Sequence, residues 1–425
     1  MGAKKLKAVL ATSRGRAGNP IADPEGLRSA PRAVLPVIKE KLELFSQFGT
    51  TGGVAGYHKL GNLPINNWRD ARAPELAEKT TGTTMKETIW VARAGCKACP
   101  IQCGRLVENP DGPFALDGRM EGPEYETLGV FGALCLNDDL EAIAKANEIC
   151  NNLGLDTISA GAALAFAMEC VEKGILGPED LEGVDLGFGK PEGMVEMLGR
   201  IGRREGKLGR LLGQGVRVAA QTIGQGAEEF SVETKGLEYP MHDPRFSWGH
   251  ALSYATSNRG ACHCASLSHM FEIGINLPEL GYEKSVPGRQ LEGKATFTMV
   301  LQNLMTLLDS LVQCKFSMIN NTLTVTNFQD FYNCITGRGI SVEELMAAGD
   351  RAFTLKRTIN NQRGITRKDD MLPPRFRTLR KKGGEIDFGV PPLLPLLSEY
   401  YDARGWTEEG RPQEATLRKL GIEAA

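Results

Sequence analysis

A chain of 425 residues with 41% apolar and 24% charged side chains has an ordinary globular composition, long enough for two or three domains. Its net charge of −2 gives no global field for nucleic acid or an anionic membrane, and it has no run of 18 apolar residues to span a bilayer. Fifty glycines, nearly 12% against a usual share of roughly 7%, point to tight turns and close backbone approach to a large ligand.

The opening "MGAKKLKAVLATSRG" has too short an apolar stretch for the core of a signal peptide, so a cytoplasmic location is expected. Within it, Lys4–Ser13 reads as a single strand with nothing before it to pair with. It is expected to complete a sheet supplied by other chain. "GNPIADPEGL" reads as a loop, Pro36–Phe48 as a helix, and Gly49–Trp68 as a glycine-rich segment with one short helix. "ARAGCKACPIQCGR" then brings Cys96, Cys99 and Cys103 within eight residues, and "EGPEYE" carries Glu121, Glu124 and Glu126.

The clearest helix is "DDLEAIAKANEICNNLG", where Leu140, Ile143, Ala144, Ala146, Ile149, Cys150 and Leu153 recur at helical spacing. Asp138 and Asp139 suit its positive N-terminus, and Gly154 its stop. Thr157–Gly174 reads as a second, largely buried helix, and Gly193–Gly215 as one or two more. Phe230–Arg245 breaks the helical run and marks a domain boundary. Thr296–Cys314 and Ser341–Gly364 are helical, the latter opening with Ser341 and Glu344 at capping-box spacing. Strand signals are sparse, so the fold class is mostly α and multihelical.

Ten cysteines in so long a chain do not make a dense disulfide framework, and most are expected to be small buried hydrophobes, Cys135 among them. The triple is different. Thiolates at i, i+3 and i+7 can face one point. Zinc prefers paired C-x2-C knuckles, and no second C-x2-C exists here. The radical-SAM triple has its wider gap first, the reverse of this one. A local triple plus a remote cysteine suits a [4Fe–4S] cluster, with zinc and a purely structural role as the alternatives. For the remote ligand, Cys150, Cys170 and Cys334 sit in apolar helical patterns, Cys262 and Cys264 flank His263, and Cys314 ends a helix. Spacing does not choose among them. Of the five histidines, His58 in the glycine-rich segment is a further pocket candidate.

The blocks "MGAKKLKAV", "GNLPINNW", "CKACPIQCGR", "EGPEYETLG", "DDLEAIAKANEICNNLGLDTISAG", "YATSNRGACH", "DSLVQCKF" and "TRKDDMLPPRF" follow in this order between Met1 and Phe376. Together they resemble the aldehyde ferredoxin oxidoreductase family of tungsten–pterin enzymes. The resemblance implies residues 1–30 as a remnant of a β-rich pterin-binding domain, most of which the chain lacks. It implies residues 31–236 as a helical second domain with the cysteine triple, and residues 237–425 as a helical third domain with the fourth cysteine.

Carried over residue by residue, Cys96, Cys99, Cys103 and Cys314 are implied as ligands of a [4Fe–4S] cluster. Asp309 and Lys315 belong to a D-x4-C segment at one pterin. Val312-Gln313 stands there where the family has Gly-Leu. Asn151, Gly154, Leu155, Asp156 and Thr157 form the loop at the other pterin, with Asn151 where Asp is common. The family's metal-side glutamate falls on Glu124 as first choice and Glu121 as second, and its metal-proximal histidine on His263. Cys262–Lys284 is expected to line the substrate side. The implied reaction oxidises an aldehyde to a carboxylic acid at a tungsten (or molybdenum) bis-pterin centre. Electrons then pass through the cluster to ferredoxin or another iron–sulfur carrier. The alternatives are an iron–sulfur electron-transfer subunit of a larger complex, and a member reducing an aromatic acyl thioester. A homodimer or larger redox complex is the implied assembly, with no nucleic-acid or membrane partner.

Overall fold

A computed structural model describes residues 5–10 and 20–423. As expected, the described chain is mostly helical, with three small antiparallel sheets. The N-terminal strand does not form over Lys5–Leu10, which is irregular and exposed; Lys4 and residues 11–13 of that expectation lie outside the described residues. A strand needs a neighbour for its N–H and C=O groups, and none of the described strands pairs with this segment.

The helix expected over Pro36–Phe48 is two helices, Gly26–Lys41 and Glu43–Phe48, and the first begins ten residues early. It carries Pro31 and Pro36 in its interior, which local propensity disfavours. Packing outweighs that cost. The helix lies against Val325–Thr336, and Ala22 and Asp23 donate backbone N–H groups to the carbonyls of Ile335 and Cys334, at 3.2 and 2.8 Å.

Locally encoded helices form as read. Asp139 caps Leu140–Leu153 by accepting from the amides of Glu141 and Ala142, and Gly154 ends it at φ 69°. Asp156 caps the next helix, Thr157–Glu172, through Ser159 N–H at 2.9 Å. That helix is apolar on every side and is buried accordingly. Ser341 and Glu344 make both bonds of a capping box at the start of Val342–Gln362. Ser341→Ala is expected to cost about 1 kcal/mol, read as a lower denaturant midpoint at unchanged slope.

The largest apolar core draws on both sides of residue 236. Val54, Phe131, Phe166 and Leu198 belong to it, and so do Tyr239, Leu252, Phe376 and Tyr400. A second core gathers Phe271, Phe297, Leu304 and Phe328. Helix Lys294–Ser310 packs on Trp248–Thr256, Val342–Gln362 and Leu393–Arg404.

Buried ion pairs tie the segments around residue 240 to distant chain. Asp243 pairs with Arg245 at 2.7 Å and with Lys381 at 3.0 Å. The two cations also reach back to the carbonyls of Trp68 and Leu63. Burial pushes the Asp243 carboxyl up, but Arg245 and Lys381 outweigh it and hold it at about 2. This clamp fixes the chain just after His242 against the segment 63–68, where the candidate site begins.

Candidate active site

The cysteine triple occupies the loop of a β-hairpin. Trp90–Ala94 pairs with Gly104–Val107, and the pair Ala94–Gly104 closes the loop at its base. Ala98 and Gln102 stand at φ 61° and 55°, each just before a cysteine, and Cys99 N–H bonds to Cys96 C=O at 3.1 Å. The chain therefore turns sharply twice and presents its thiols from one compact loop. Arg93 reaches Ser46 Oγ at 2.6 Å, and Arg105 donates to the Gln47 carbonyl at 3.5 Å as well as to the Cys103 carbonyl, so both strands pin the loop to helix Glu43–Phe48. Gly49, at φ 54°, lies directly beneath; a Cβ there would run into Arg105 and the Cys103 carbonyl.

Cys314 meets this loop from the other half of the chain. It precedes the short 3-10 segment Lys315–Asn321, whose Phe316 and Ile319 pack with Ile101, Cys99 and Cys103. Burial pushes the Cys103 thiol up to about 11, with Glu124, Cys314 and Cys99 adding to the rise. Burial also raises Cys314, and Cys99 and Cys96 repel its thiolate further. The two segments therefore lie near enough for their thiols to influence one another. Among the described residues no three His, Cys, Asp or Glu side chains converge on a single ion. Cys96, Cys99, Cys103 and Cys314 are all free thiols.

Cys103 also lines a cavity of about 620 Å³. Glu124, Glu126, His242, His263, His269 and Tyr57 share its wall, and Phe45, Leu267, Met270, Ile273 and Phe316 make the rest largely apolar. The three glutamates separate cleanly. Glu121 sits exposed in the edge strand Met120–Glu121 and is not among the cavity residues. Glu124 accepts from Thr50 Oγ1 on the cysteine side and is the more exposed of the two cavity glutamates. Glu126 is the deeper one. Its Oε2 accepts Met241 N–H at 2.6 Å, and its Oε1 lies 3.3 Å from His242 Nε2 and 3.6 Å from His263 Nε2. Burial raises the Glu126 carboxyl, against the opposing pull of His263 and the Met241 amide.

Sequence reasoning did not single out Glu126, and it did not foresee the histidine cluster. His242, His250, His263 and His269 gather together; the rings of His242 and His269 stack at 3.7 Å. Burial lowers all four, so the rings are neutral. Four buried atoms of Glu126 and this cluster have no hydrogen-bond partner among the described residues, Glu126 Oε1, His250 Nε2, His263 Nδ1 and His269 Nδ1. Unpaired buried polar atoms are costly, and they mark where a ligand's polar groups belong. His58 is elsewhere, accepting Ala73 N–H at 3.0 Å, and Cys135 is a buried core residue.

A second cavity of about 540 Å³ is lined in part by Cys262 and Cys264. Arg259, Lys315 and Lys356 line it together with Asp309, Cys262, Cys264 and Asn360. Lys315 bridges Asp309 Oδ1 at 2.9 Å and the Cys264 carbonyl at 2.8 Å. Three cations around one cavity fit an anionic, phosphate-bearing ligand such as a pterin cofactor. Asn151, Gly154, Leu155, Asp156 and Thr157 line neither cavity. Asn151 lies in the last turn of the first capped helix and Gly154–Thr157 lead into the second, and the charge of Asp156 is felt by Arg259, Glu126 and His263.

Val312 is 93% exposed at φ 55°. A β-branched residue in that left-handed conformation is strained, whereas glycine is not. Val312→Gly is therefore expected to stabilise the chain by about 0.5–1 kcal/mol, allowing for the greater freedom of glycine in the unfolded chain. A lower denaturation midpoint would contradict this.

A family model described as "Aldehyde ferredoxin oxidoreductase, domains 2 & 3" matches residues 33–422. The tungsten-containing aldehyde ferredoxin oxidoreductase of Pyrococcus furiosus is 33% identical over 435 residues, which cover 99% of this chain and 68% of that protein. The enzyme of the same name from Thermococcus kodakarensis gives the same identity and coverage. An aliphatic sulfonate oxidoreductase, WOR-like subunit, of Pyrococcus furiosus is 27% identical, over 99% of this chain and 65% of that one. Among solved structures, a chain of the active site complex BamBC of benzoyl coenzyme A reductase superposes with a TM-score of 0.75 at 23% identity. The match covers 96% of this chain and 66% of that one, and it bears on the fold alone. The chain spans about two thirds of the length of these relatives.

Proposed function

This chain belongs to the aldehyde ferredoxin oxidoreductase family, and from that membership we propose that it serves the oxidation of an aldehyde to a carboxylic acid. The supporting observation is a single cavity wall. Glu126 and His263 hold unpartnered buried atoms on one side, and Cys103 of the cysteine quartet closes the other. The tungsten-containing relatives support a tungsten bis-pterin centre as cofactor, which supplies two-electron redox chemistry when bound.

The chain's own residues have these roles in the proposal. The net reaction takes an aldehyde and water to a carboxylic acid, two protons and two electrons. The apolar wall of Phe45, Leu267, Met270 and Phe316 holds the substrate's hydrocarbon part and keeps bulk water out. Neutral His263 orients the carbonyl by hydrogen bonding. Glu126 receives a proton, for which a carboxyl raised by burial above its ordinary value is suited. Arg259, Lys315 and Lys356 would hold the cofactor's phosphates. Cys103 belongs to both the cavity and the quartet, so Cys96, Cys99, Cys103 and Cys314 would hold a [4Fe–4S] cluster beside the cavity, which would supply one-electron transfer to an iron–sulfur carrier such as ferredoxin.

The test is an assay of native protein, purified anaerobically from tungstate-supplied cells with any chains that accompany it. Aldehyde-dependent reduction of a viologen dye, together with tungsten and iron in the preparation, is the expected result. Iron without tungsten and without aldehyde turnover would favour the electron-transfer reading instead.

A further inference from the structure

Glu126 has one anchored oxygen and one that faces the cavity, and what stands next to the second is decided by a residue outside the cavity. Asn62 is fully buried in the turn after helix Val54–Leu60. Its side-chain Nδ2 lies 3.0 Å from His242 Nδ1. The orientation of that amide is fixed, because Asp243 N–H is shared between the backbone and side-chain oxygens of Asn62, both at 2.9 Å. Rotating the amide would set its NH2 against the Asp243 N–H, donor against donor.

An amide nitrogen only donates, so His242 Nδ1 accepts and carries no proton. Neutral imidazole then has its proton on Nε2, the atom 3.3 Å from Glu126 Oε1. The ring has little room to reorient, being stacked on His269 at 3.7 Å and on Tyr125 at 4.9 Å. Asp243, clamped by Arg245 and Lys381, holds the neighbouring backbone in place.

We infer that Asn62 locks His242 in the Nε2–H tautomer and so makes His242 a positioning residue for Glu126, setting an N–H rather than a lone pair 3.3 Å from the carboxylate oxygen that faces the cavity, a charge–dipole contact that leaves this oxygen without a hydrogen-bond partner. In the other tautomer a nitrogen lone pair would face that oxygen, and the carboxylate would turn away or take up a proton. With the donor in place, Oε1 stays between His242 and His263, where the proposed function needs it. The inference rests on that function for its catalytic meaning, but the tautomer itself does not.

The experiment uses oxidised protein labelled with 15N-histidine and long-range proton–nitrogen correlation spectra. His242 is assigned by loss of its signals in His242→Gln. In the native protein its Nδ1 is expected at the position of an unprotonated ring nitrogen and its Nε2 at that of a protonated one. In Asn62→Asp, which accepts where Asn62 donated, Nδ1 gains a proton and moves to the protonated range. Aldehyde turnover of the holoenzyme variant then falls roughly tenfold to hundredfold in kcat, with KM within about twofold. A protonated Nδ1 in the native protein, or an unprotonated one in Asn62→Asp, overturns the inference. Native protein with the expected tautomer and no aldehyde turnover overturns the functional reading and leaves the lock standing.

Discussion

Cys314→Ser is expected to abolish the EPR signal of the reduced cluster and to lower bound iron from about four to three or fewer per chain. The change is a fair test because the fold does not depend on the thiol. The local structure uses the residue's backbone: its carbonyl accepts from Ser317 Oγ at 2.6 Å and from Ser317 N–H at 3.2 Å. Serine keeps both. It loses a soft thiolate ligand and offers a hard hydroxyl that iron–sulfur clusters bind poorly. Cys334→Ser, at a cysteine within helix Val325–Thr336 whose thiol lies 4.0 Å from Asp23 Oδ2, serves as control and keeps the signal. An unchanged signal in Cys314→Ser would remove it from the quartet.

The second large effect concerns the glutamates. Glu126→Gln is expected to lower kcat of the holoenzyme about a thousandfold, with KM changed less than about threefold. The amide is isosteric. Its oxygen can still accept the Met241 N–H that now holds the carboxylate at 2.6 Å, so the local structure persists while proton acceptance is lost. Because burial raises the Glu126 carboxyl, it takes up a proton at higher pH than an exposed one. Native turnover therefore falls on the acid side, and Glu126→Gln loses that limb. Glu124→Gln keeps the Thr50 contact and should cost about tenfold. Glu121→Gln, exposed on an edge strand, should change nothing measurable. Equal losses at Glu124 and Glu126 would undo the assignment.

This ranking shows where reading the sequence succeeds and where it stops. Helices Leu140–Leu153 and Val342–Gln362 are encoded within themselves, by periodicity and by caps at Asp139 and Ser341, so they were legible. Gly26–Lys41 holds two prolines and exists because Val325–Thr336 lies against it, which no local pattern records. The cysteine triple was legible because three ligands fall within one hairpin loop. Cys314 came only from family resemblance, since its approach depends on the packing of Phe316 and Ile319. Choosing among the glutamates of "EGPEYE" was beyond local reading. What distinguishes Glu126 is the Met241 amide and two histidines, all from more than a hundred residues downstream. The same holds for Asn62, whose role depends on a partner 180 residues away.

The central claim is that the cavity of Glu126 and His263 delivers electrons to the quartet of Cys96, Cys99, Cys103 and Cys314. The most direct measurement adds an aldehyde, and separately dithionite, to the oxidised native protein under anaerobic conditions and records EPR. The account predicts the same reduced-cluster signal from both reductants, with the aldehyde response lost in Glu126→Gln while the dithionite response remains. A signal from dithionite and none from any aldehyde in the native protein would contradict it.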